Sequence, residues 1–184
     1  MRIIAGNAGG LRMECPQGIA RPMMDRVRGA VFSSLGEAVI GARVLDLFAG
    51  SGAIGIEALS RGAATCVFVD SHRKAAEAVR TNLKKTRLEG TMRTQEVAAY
   101  LATAAPASFD LVFADPPFAL PLNHPSHPAV FLANDSLARI VAPGGLCVIE
   151  LPGEPGPGSG AWALLRTRRY GQAWIAYYQR DSNP

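Results

Sequence analysis

Two stretches of this sequence combine residue types that could do chemistry. The first is Val44-Leu45-Asp46-Leu47-Phe48-Ala49-Gly50-Ser51-Gly52-Ala53-Ile54-Gly55, an apolar run that passes through a carboxylate into a glycine turn. Glycines at 50 and 52 let the backbone approach a ligand closely and take positive φ at little cost. The last six residues match the dinucleotide pattern G-x-G-x-x-G, which also occurs as a tight turn with no ligand at all. Two neighbouring carboxylates narrow the choice. Asp46 lies in the approach to the turn, where it repels a pyrophosphate and suits a cation or a hydroxyl. Asp70 ends the next apolar run, Cys66-Val67-Phe68-Val69, where a carboxylate can take the two hydroxyls of a ribose. The ligand implied is a nucleoside with a positive, non-phosphate tail, and S-adenosylmethionine fits.

The second stretch is Asp115-Pro116-Pro117-Phe118, after the apolar run Phe109 to Ala114. Prolines fix φ and remove N–H donors, so the Pro116 carbonyl is a rigid acceptor. Asp115 offers a second acceptor, and Phe118 a flat apolar face. Two acceptors and an aromatic face suit an exocyclic amine on a base, whose lone pair is conjugated into the ring. Acceptors on both N–H bonds favour a pyramidal nitrogen and stabilise the charge that develops as it attacks. Stacking on Phe118 would hold a base taken out of its stack. No cysteine nucleophile stands beside these prolines, which argues against carbon methylation through a covalent adduct.

The elements needed to position these groups are legible. A hairpin is expected over residues 2 to 14, with Arg2-Ile3-Ile4-Ala5 and Leu11-Arg12-Met13-Glu14 flanking a turn-rich Gly6 to Gly10. A helix follows from about Met23 to Leu35. The segment through Leu47 reads as a strand, followed by a helix from Ala53 to about Arg61 whose first N–H groups face the ligand. Ser71 is a candidate N-cap for a helix reaching Arg87. A short strand lies near Met92, and Glu96 opens another helix. Phe109 to Ala114 is a buried-type strand. A Pro- and His-rich loop, with His124 and His127, leads to a helix from about Ala129 that Pro143-Gly144-Gly145 breaks. Leu146 to Leu151 is a strand, and Trp162 to Arg169 with Gln172 to Gln179 form a closing hairpin. Strand and helix alternate throughout, so the sheet is expected to be mostly parallel with helices on both faces. Ligands in such sheets bind outside the carboxyl ends of the strands, so both stretches should share one crevice.

Composition sets the frame. The 184 residues are 48% hydrophobic and 18% charged, the balance of a globular chain rather than a disordered one. No apolar run is long enough to span a membrane and the first residues lack a signal-peptide core, so the cytoplasm is the default. Cys15, Cys66 and Cys147 are scattered without metal-ligand spacing, and no metal is expected. Residues 1 to 43 hold six arginines, no lysine and three acids, so that segment carries most of the net charge of +4. A basic arm on a near-neutral body suits a polyanion such as nucleic acid, although an ordinary solvated face has the same composition.

The motif residues resemble a known family. Asp46-Leu47-Phe48-Ala49-Gly50-Ser51-Gly52 with Asp115-Pro116-Pro117-Phe118 resembles class I S-adenosylmethionine-dependent amino-methyltransferases. Arg2-Ile3-Ile4-Ala5-Gly6, Gly9-Gly10, Arg21-Pro22 and Asp25-Arg26-Val27-Arg28 are similar to the bacterial 16S ribosomal RNA (guanine(966)-N2)-methyltransferase family, and the resemblance runs from Arg2 to about Leu151. It implies a Rossmann-like α/β fold, the seven-stranded methyltransferase sheet with a C-terminal antiparallel hairpin, over residues 41–184. Residues 1–40 would be an RNA-binding arm of hairpin and helix. The resemblance implies that S-adenosyl-L-methionine meets Asp46, Phe48, Ala49, Gly50, Ser51 and Gly52 at the turn, Asp70 and Ser71 at the ribose, and Glu96 and Val97 at the adenine. Asp115, Pro116, Pro117 and Phe118 would hold the guanine, and Arg2, Arg12, Arg21, Arg26 and Arg28 the ribosomal RNA or small ribosomal subunit. Three positions depart from the family pattern: Met23 replaces Thr, Gly29 replaces Glu and Glu96 replaces Asp. The alternatives are amino methylation of another target, such as adenine N6, a nicotinamide oxidoreductase, and an RNA-binding scaffold without catalysis.

Overall fold

The structure, a computed structural model, describes residues 1–15, 23–117, 131–158 and 160–182. Elements follow in the order α1 (Asp25–Leu35), a 3-10 turn (Gly36–Val39), β1 (Arg43–Leu47), α2 (Ala53–Ser60), β2 (Thr65–Asp70), α3 (Arg73–Thr86), β3 (Thr91–Thr94), α4 (Val97–Thr103), β4 (Phe109–Ala114), α5 (Asp135–Ile140), β5 (Val141–Leu151), β6 (Trp162–Tyr170) and β7 (Ala173–Arg180). The seven strands form one sheet in the order β3-β2-β1-β4-β5-β7-β6. Neighbours from β3 to β5 pair in parallel, and β7 pairs antiparallel with both β5 and β6. The α/β sheet with its C-terminal hairpin is thus as expected. Strand order reverses on leaving β1, which has β2 on one side and β4 on the other. That reversal is where such sheets bind ligands.

Side chains alternate across the sheet and divide the interior in two. Val44, Phe68, Phe113, Val148 and Tyr177 face a core shared with Ile3, Val27, Phe32, Ile56 and Val79 from the N-terminal segment, α1, α2 and α3. Leu45, Leu47, Val112, Ile149 and Tyr178 face a second core with Leu101 of α4, Leu137 of α5 and Phe131, which precedes α5. The central strands are apolar on both faces, as parallel strands covered on both sides require. Among the described residues no helix is long and apolar enough to cross a membrane.

Three expectations need correction. The hairpin expected over residues 2 to 14 is reduced to one antiparallel bridge, Arg2 with Arg12, flanked by bonds from the Ile3 N–H to the Leu11 carbonyl and from the Met13 N–H to the Met1 carbonyl. The reason lies in where the backbone donors go. The N–H groups of Ile4 and Ala5 donate to the Glu57 carboxylate, at 2.8 and 3.1 Å, instead of to a partner strand. Further along, the Ala8 N–H donates to Ser60 Oγ and the Asn7 N–H to the Ser60 carbonyl. The segment is therefore a loop fastened along α2. Gly6 allows that approach, because a Cβ there would lie 1.8 Å from the Ser60 carbonyl oxygen. Second, Ser71 is not an N-cap. His72 holds that position for α3, and the local bond is from the His72 N–H to Asp70 Oδ1. Third, Pro143-Gly144-Gly145 lies inside β5, which begins directly after α5; the irregularity it causes is a register shift against β4 between Phe109 and Leu111. The beginning of the expected helix, Ala129 and Val130, lies outside the described residues.

The far end of the N-terminal loop is tied by one buried side chain. Asn82 of α3 is fully buried; its Oδ1 accepts from the Glu14 N–H at 2.8 Å and its Nδ2 donates to the carbonyls of Glu14 and Ser51, each at 2.9 Å. Removing that amide strands a donor and two acceptors, each worth about 1–3 kcal/mol when buried unpaired. Asn82→Ala is expected to cost about 3 kcal/mol, read as a fall in Tm of roughly 6–12 °C by calorimetry; a loss near zero would show that solvent replaces these bonds.

Candidate active site

The crevice is built by the carboxyl ends of four neighbouring parallel strands. Leu47 at the end of β1 lies beside Val69 of β2 and Ala114 of β4. The glycine turn, Asp70 and Asp115 therefore emerge side by side. The Gln95 N–H donates to the Asp70 carbonyl, which brings Glu96 and Val97 to the same edge. The two stretches singled out by their chemistry open onto one side of the sheet.

The turn is held by carboxylates. The chain leaves β1 with Phe48, Gly50 and Gly52 all at positive φ, 58°, 54° and 77°. Phe48 is not glycine and bears the strain of that conformation, of order 1–3 kcal/mol; its ring packs 6.1 Å from that of Phe131. Asp46 lies beneath the turn, 2% exposed, and its Oδ2 accepts from the Gly55 N–H at 2.9 Å. One of the first N–H groups of α2 is thus taken by the protein rather than left for a ligand. Asp70 Oδ2 accepts from the Gly50 N–H at 2.9 Å while Oδ1 accepts from the His72 N–H. Each ionised carboxylate has about four acceptor positions, so a ribose can still be held there. The third glycine of the pattern serves packing, since a Cβ on Gly55 would lie 2.3 Å from Phe68 Cε1 and 2.6 Å from Cys66 Sγ.

Burial dominates the electrostatics. Desolvation pushes the Asp46 carboxyl up to about 8 against the opposing Gly55 hydrogen bond, and the nearby Asp70 adds to the rise. Asp115 is raised well above the carboxylate range by burial, then by Glu150 and Asp46. Four carboxyl groups, Asp46, Asp70, Asp115 and Glu150, thus gather at one site, where a positive charge would be welcome and a pyrophosphate would not. This donor set fits S-adenosylmethionine and speaks against a dinucleotide.

The other site residues lie as follows. Ala49 and Ser51 are buried in the turn. Ser71 is exposed beside Asp70, and Glu96 is exposed as the N-cap of α4 with Val97 buried behind it. Pro116 is buried and Pro117 exposed. Phe118 and Arg21 lie outside the described residues, as do His124 and His127. Arg2, Arg12 and Arg26 are exposed, on the loop and on α1. Arg28 is different: it is fully buried, bonded to Asp25 at 3.0 Å and to the Arg2 carbonyl, with Glu57 at 3.7 Å. Its Nη2 serves internal acceptors while Nε and Nη1 have no hydrogen-bond partner among the described residues, and the side chain does not reach the surface. The loop borders the turn directly, through Asn82 and through Met1 Sδ, 3.9 Å from Ser51 Oγ.

Sequence reasoning missed Glu57, Asn82 and the left-handed Phe48. Glu57 had a signal, as the only charge in the apolar helix Ala53–Ser60. Asn82 and Phe48 had none, since both act through partners distant in sequence. A cavity of about 800 Å³ opens at the other end of the sheet, lined by Thr65, Thr91 and Phe109 at the starts of their strands, and includes no residue of either motif.

Comparison with known proteins agrees with this geometry. A family model described as "Conserved hypothetical protein 95" matches residues 1–179. Ribosomal RNA small subunit methyltransferase D of Escherichia coli K12 is 32% identical over 187 residues, covering 99% of this chain and 91% of the relative. A candidate rRNA methyltransferase of Bacillus subtilis, YlbH, is 42% identical over 125 residues, 64% of this chain and 67% of the relative. A solved structure of the candidate methyltransferase yhhF from Escherichia coli superposes with a TM-score of 0.84 at 32% identity, covering 100% of this chain and 99% of the other. The chain belongs to the Conserved hypothetical protein 95 family, together with ribosomal RNA small subunit methyltransferase D.

Proposed function

We propose that this chain transfers a methyl group from S-adenosyl-L-methionine to the exocyclic N2 amine of a guanine in 16S ribosomal RNA, in the cytoplasm. The observation that carries the reading is the adjacency of the Asp46 turn and Asp115-Pro116 at the ends of β1 and β4. The full-length similarity to a small-subunit ribosomal RNA methyltransferase supports ribosomal RNA over DNA as the target.

S-adenosylmethionine supplies an electrophilic methyl on a positively charged sulfur. The glycine turn and Asp46 orient that positive end, Asp70 holds the ribose, and Glu96 with Val97 borders the adenine. The Asp115 carboxylate and the Pro116 carbonyl accept the two N–H bonds of the guanine amine, which frees its lone pair to point at the methyl. As the nitrogen becomes positive these acceptors strengthen, so the gain belongs to the transition state. The Asp115 carboxylate, whose ionised form the positive cofactor favours, takes the proton that the methylated nitrogen releases. Phe118 follows Pro117 in sequence and supplies the stacking face. Arg2, Arg12, Arg21 and Arg26 hold RNA phosphates, and Arg28 acts behind them by fixing the loop.

Asp115→Asn is expected to lower kcat at least about 100-fold while the affinity for S-adenosylmethionine changes little. The check is methyl transfer from labelled donor into 16S RNA alongside calorimetric titration of the cofactor; unchanged turnover overturns the mechanism. Charge reversal of Arg12 and Arg26 together is expected to weaken RNA binding and to reduce the salt slope by roughly 2, with cofactor affinity retained. Equal RNA affinity in that variant would remove the arm as the grip.

The raised carboxyls predict a pH dependence. Asp46 keeps its proton in the folded protein up to about 8, whereas the unfolded chain has lost it above about pH 4. Its contribution to stability is therefore present at low pH and lost as pH rises through that interval, and Asp115 and Glu150 shift the same way. Tm of the ligand-free protein is expected to fall between about pH 5 and about pH 8, with a shallower slope in Asp46→Asn. A positive ligand favours the ionised carboxyl, so S-adenosylmethionine should bind more tightly across the same interval and release a proton. Calorimetry in two buffers of different ionisation heat measures that release.

A further inference from the structure

Glu150 has no part in the methyl transfer described so far, yet the sheet sets it beside Asp115. Ala114 of β4 and Ile149 of β5 are partners in parallel register, so Asp115 and Glu150 are the next residues along two adjacent strands. Such strands lie about 4.8 Å apart. Ile149 and Leu151 face the core with α4 and α5, and Val148 faces the other, so Glu150 shares its face with Val148. Asp115 follows the same alternation from Phe113, and Asp46 from Val44. Across the sheet Glu150 is backed by Ile175 of β7, which is fully buried. Among the described residues no cation stands within ion-pair distance of Glu150 or Asp115. Two carboxyl groups side by side without a cation form an acceptor pair in search of donors.

Guanine presents adjacent donors of matching number, the N1–H and the N2 amine. Adenine has a lone pair at N1 instead. We propose that Glu150 is a specificity-determining residue that accepts the N1–H of the target guanine while Asp115 accepts from its N2 amine. The inference rests on the guanine-N2 reading and deepens it, by naming what separates guanine from adenine at this site. Burial raises both groups toward protonation. That does not remove the acceptors, because two carboxyls sharing a proton still leave an acceptor oxygen on each. With the shared proton held between the two carboxyls, a base with a lone pair at N1 would instead face a carboxyl oxygen and leave it without a donor. Sites built on a hydrogen bond to the substrate discriminate strongly against analogues that lack it.

The test uses 2-aminopurine, which keeps the N2 amine and has a lone pair at N1. A 16S RNA fragment with guanine or 2-aminopurine at the target position is offered to the full chain with S-adenosylmethionine, free and assembled with ribosomal proteins. The wild-type chain should show kcat/KM at least about 100-fold lower on 2-aminopurine. Glu150→Leu, which keeps the bulk but has neither donor nor acceptor, should lose a similar factor on guanine and bring the two substrates within about 10-fold of each other. Its cofactor affinity should match the wild type. If Glu150→Leu lowers both substrates by the same factor, or changes neither, Glu150 does not read N1. If the wild-type chain makes no N2-methylguanine on either form of the RNA, the N2 reading itself falls, and this inference with it.

Discussion

The structure depends on the parallel register of β1 against β4. That register sets Leu47 beside Ala114, and with them the ends of two segments distant in sequence. A shift of one residue would turn every side chain of β4 to the opposite face of the sheet. Asp115 would then leave the face it shares with Asp46. The apolar alternation that divides Val44 and Phe113 from Leu45 and Val112 forbids such a shift, because both faces of the sheet are buried. Packing far from the crevice thereby determines which carboxyls meet in it.

Those carboxyls are placed where water is scarce. Asp46 is bonded to Gly55, Asp70 to Gly50 and His72, and Asp115 has Glu150 beside it on the next strand. Acids without cations at close quarters are unfavourable in the empty protein, and their protons are held more tightly as a result. The same arrangement favours a ligand that brings a positive charge and a base that brings N–H donors. A protein adapted to phosphate at this turn would need the opposite: free N–H groups and no acid beneath them.

The N-terminal loop shows how a surface segment is joined to the glycine turn. Glu57, buried in an otherwise apolar helix, accepts from Ile4, Ala5 and Arg61 and stands 3.7 Å from Arg28. A buried charge is costly unless its partners are in place, so the loop, α1 and α2 order together. At the far end Asn82 holds both the Glu14 backbone and the Ser51 carbonyl. The arginines on this loop are therefore positioned relative to the turn by buried hydrogen bonds rather than by a strand ladder.

Sequence by itself determined the alternation of strand and helix, the glycine turn, the three carboxylates and the closing hairpin. These are local properties: periodicity, turn chemistry and the end of an apolar run. It overextended the hairpin of residues 2 to 14 and took Arg28 for a surface cation, because Ile4 and Ala5 bond to Glu57 of α2 and Arg28 is buried beside it, contacts far along the chain. Only the tertiary structure decided that Asp46 braces α2, that Gly55 exists for the packing of Phe68 and Cys66, and that Glu150 stands beside Asp115. Each of these is a matter of which strands are neighbours, and a chain read residue by residue holds no measure of that distance.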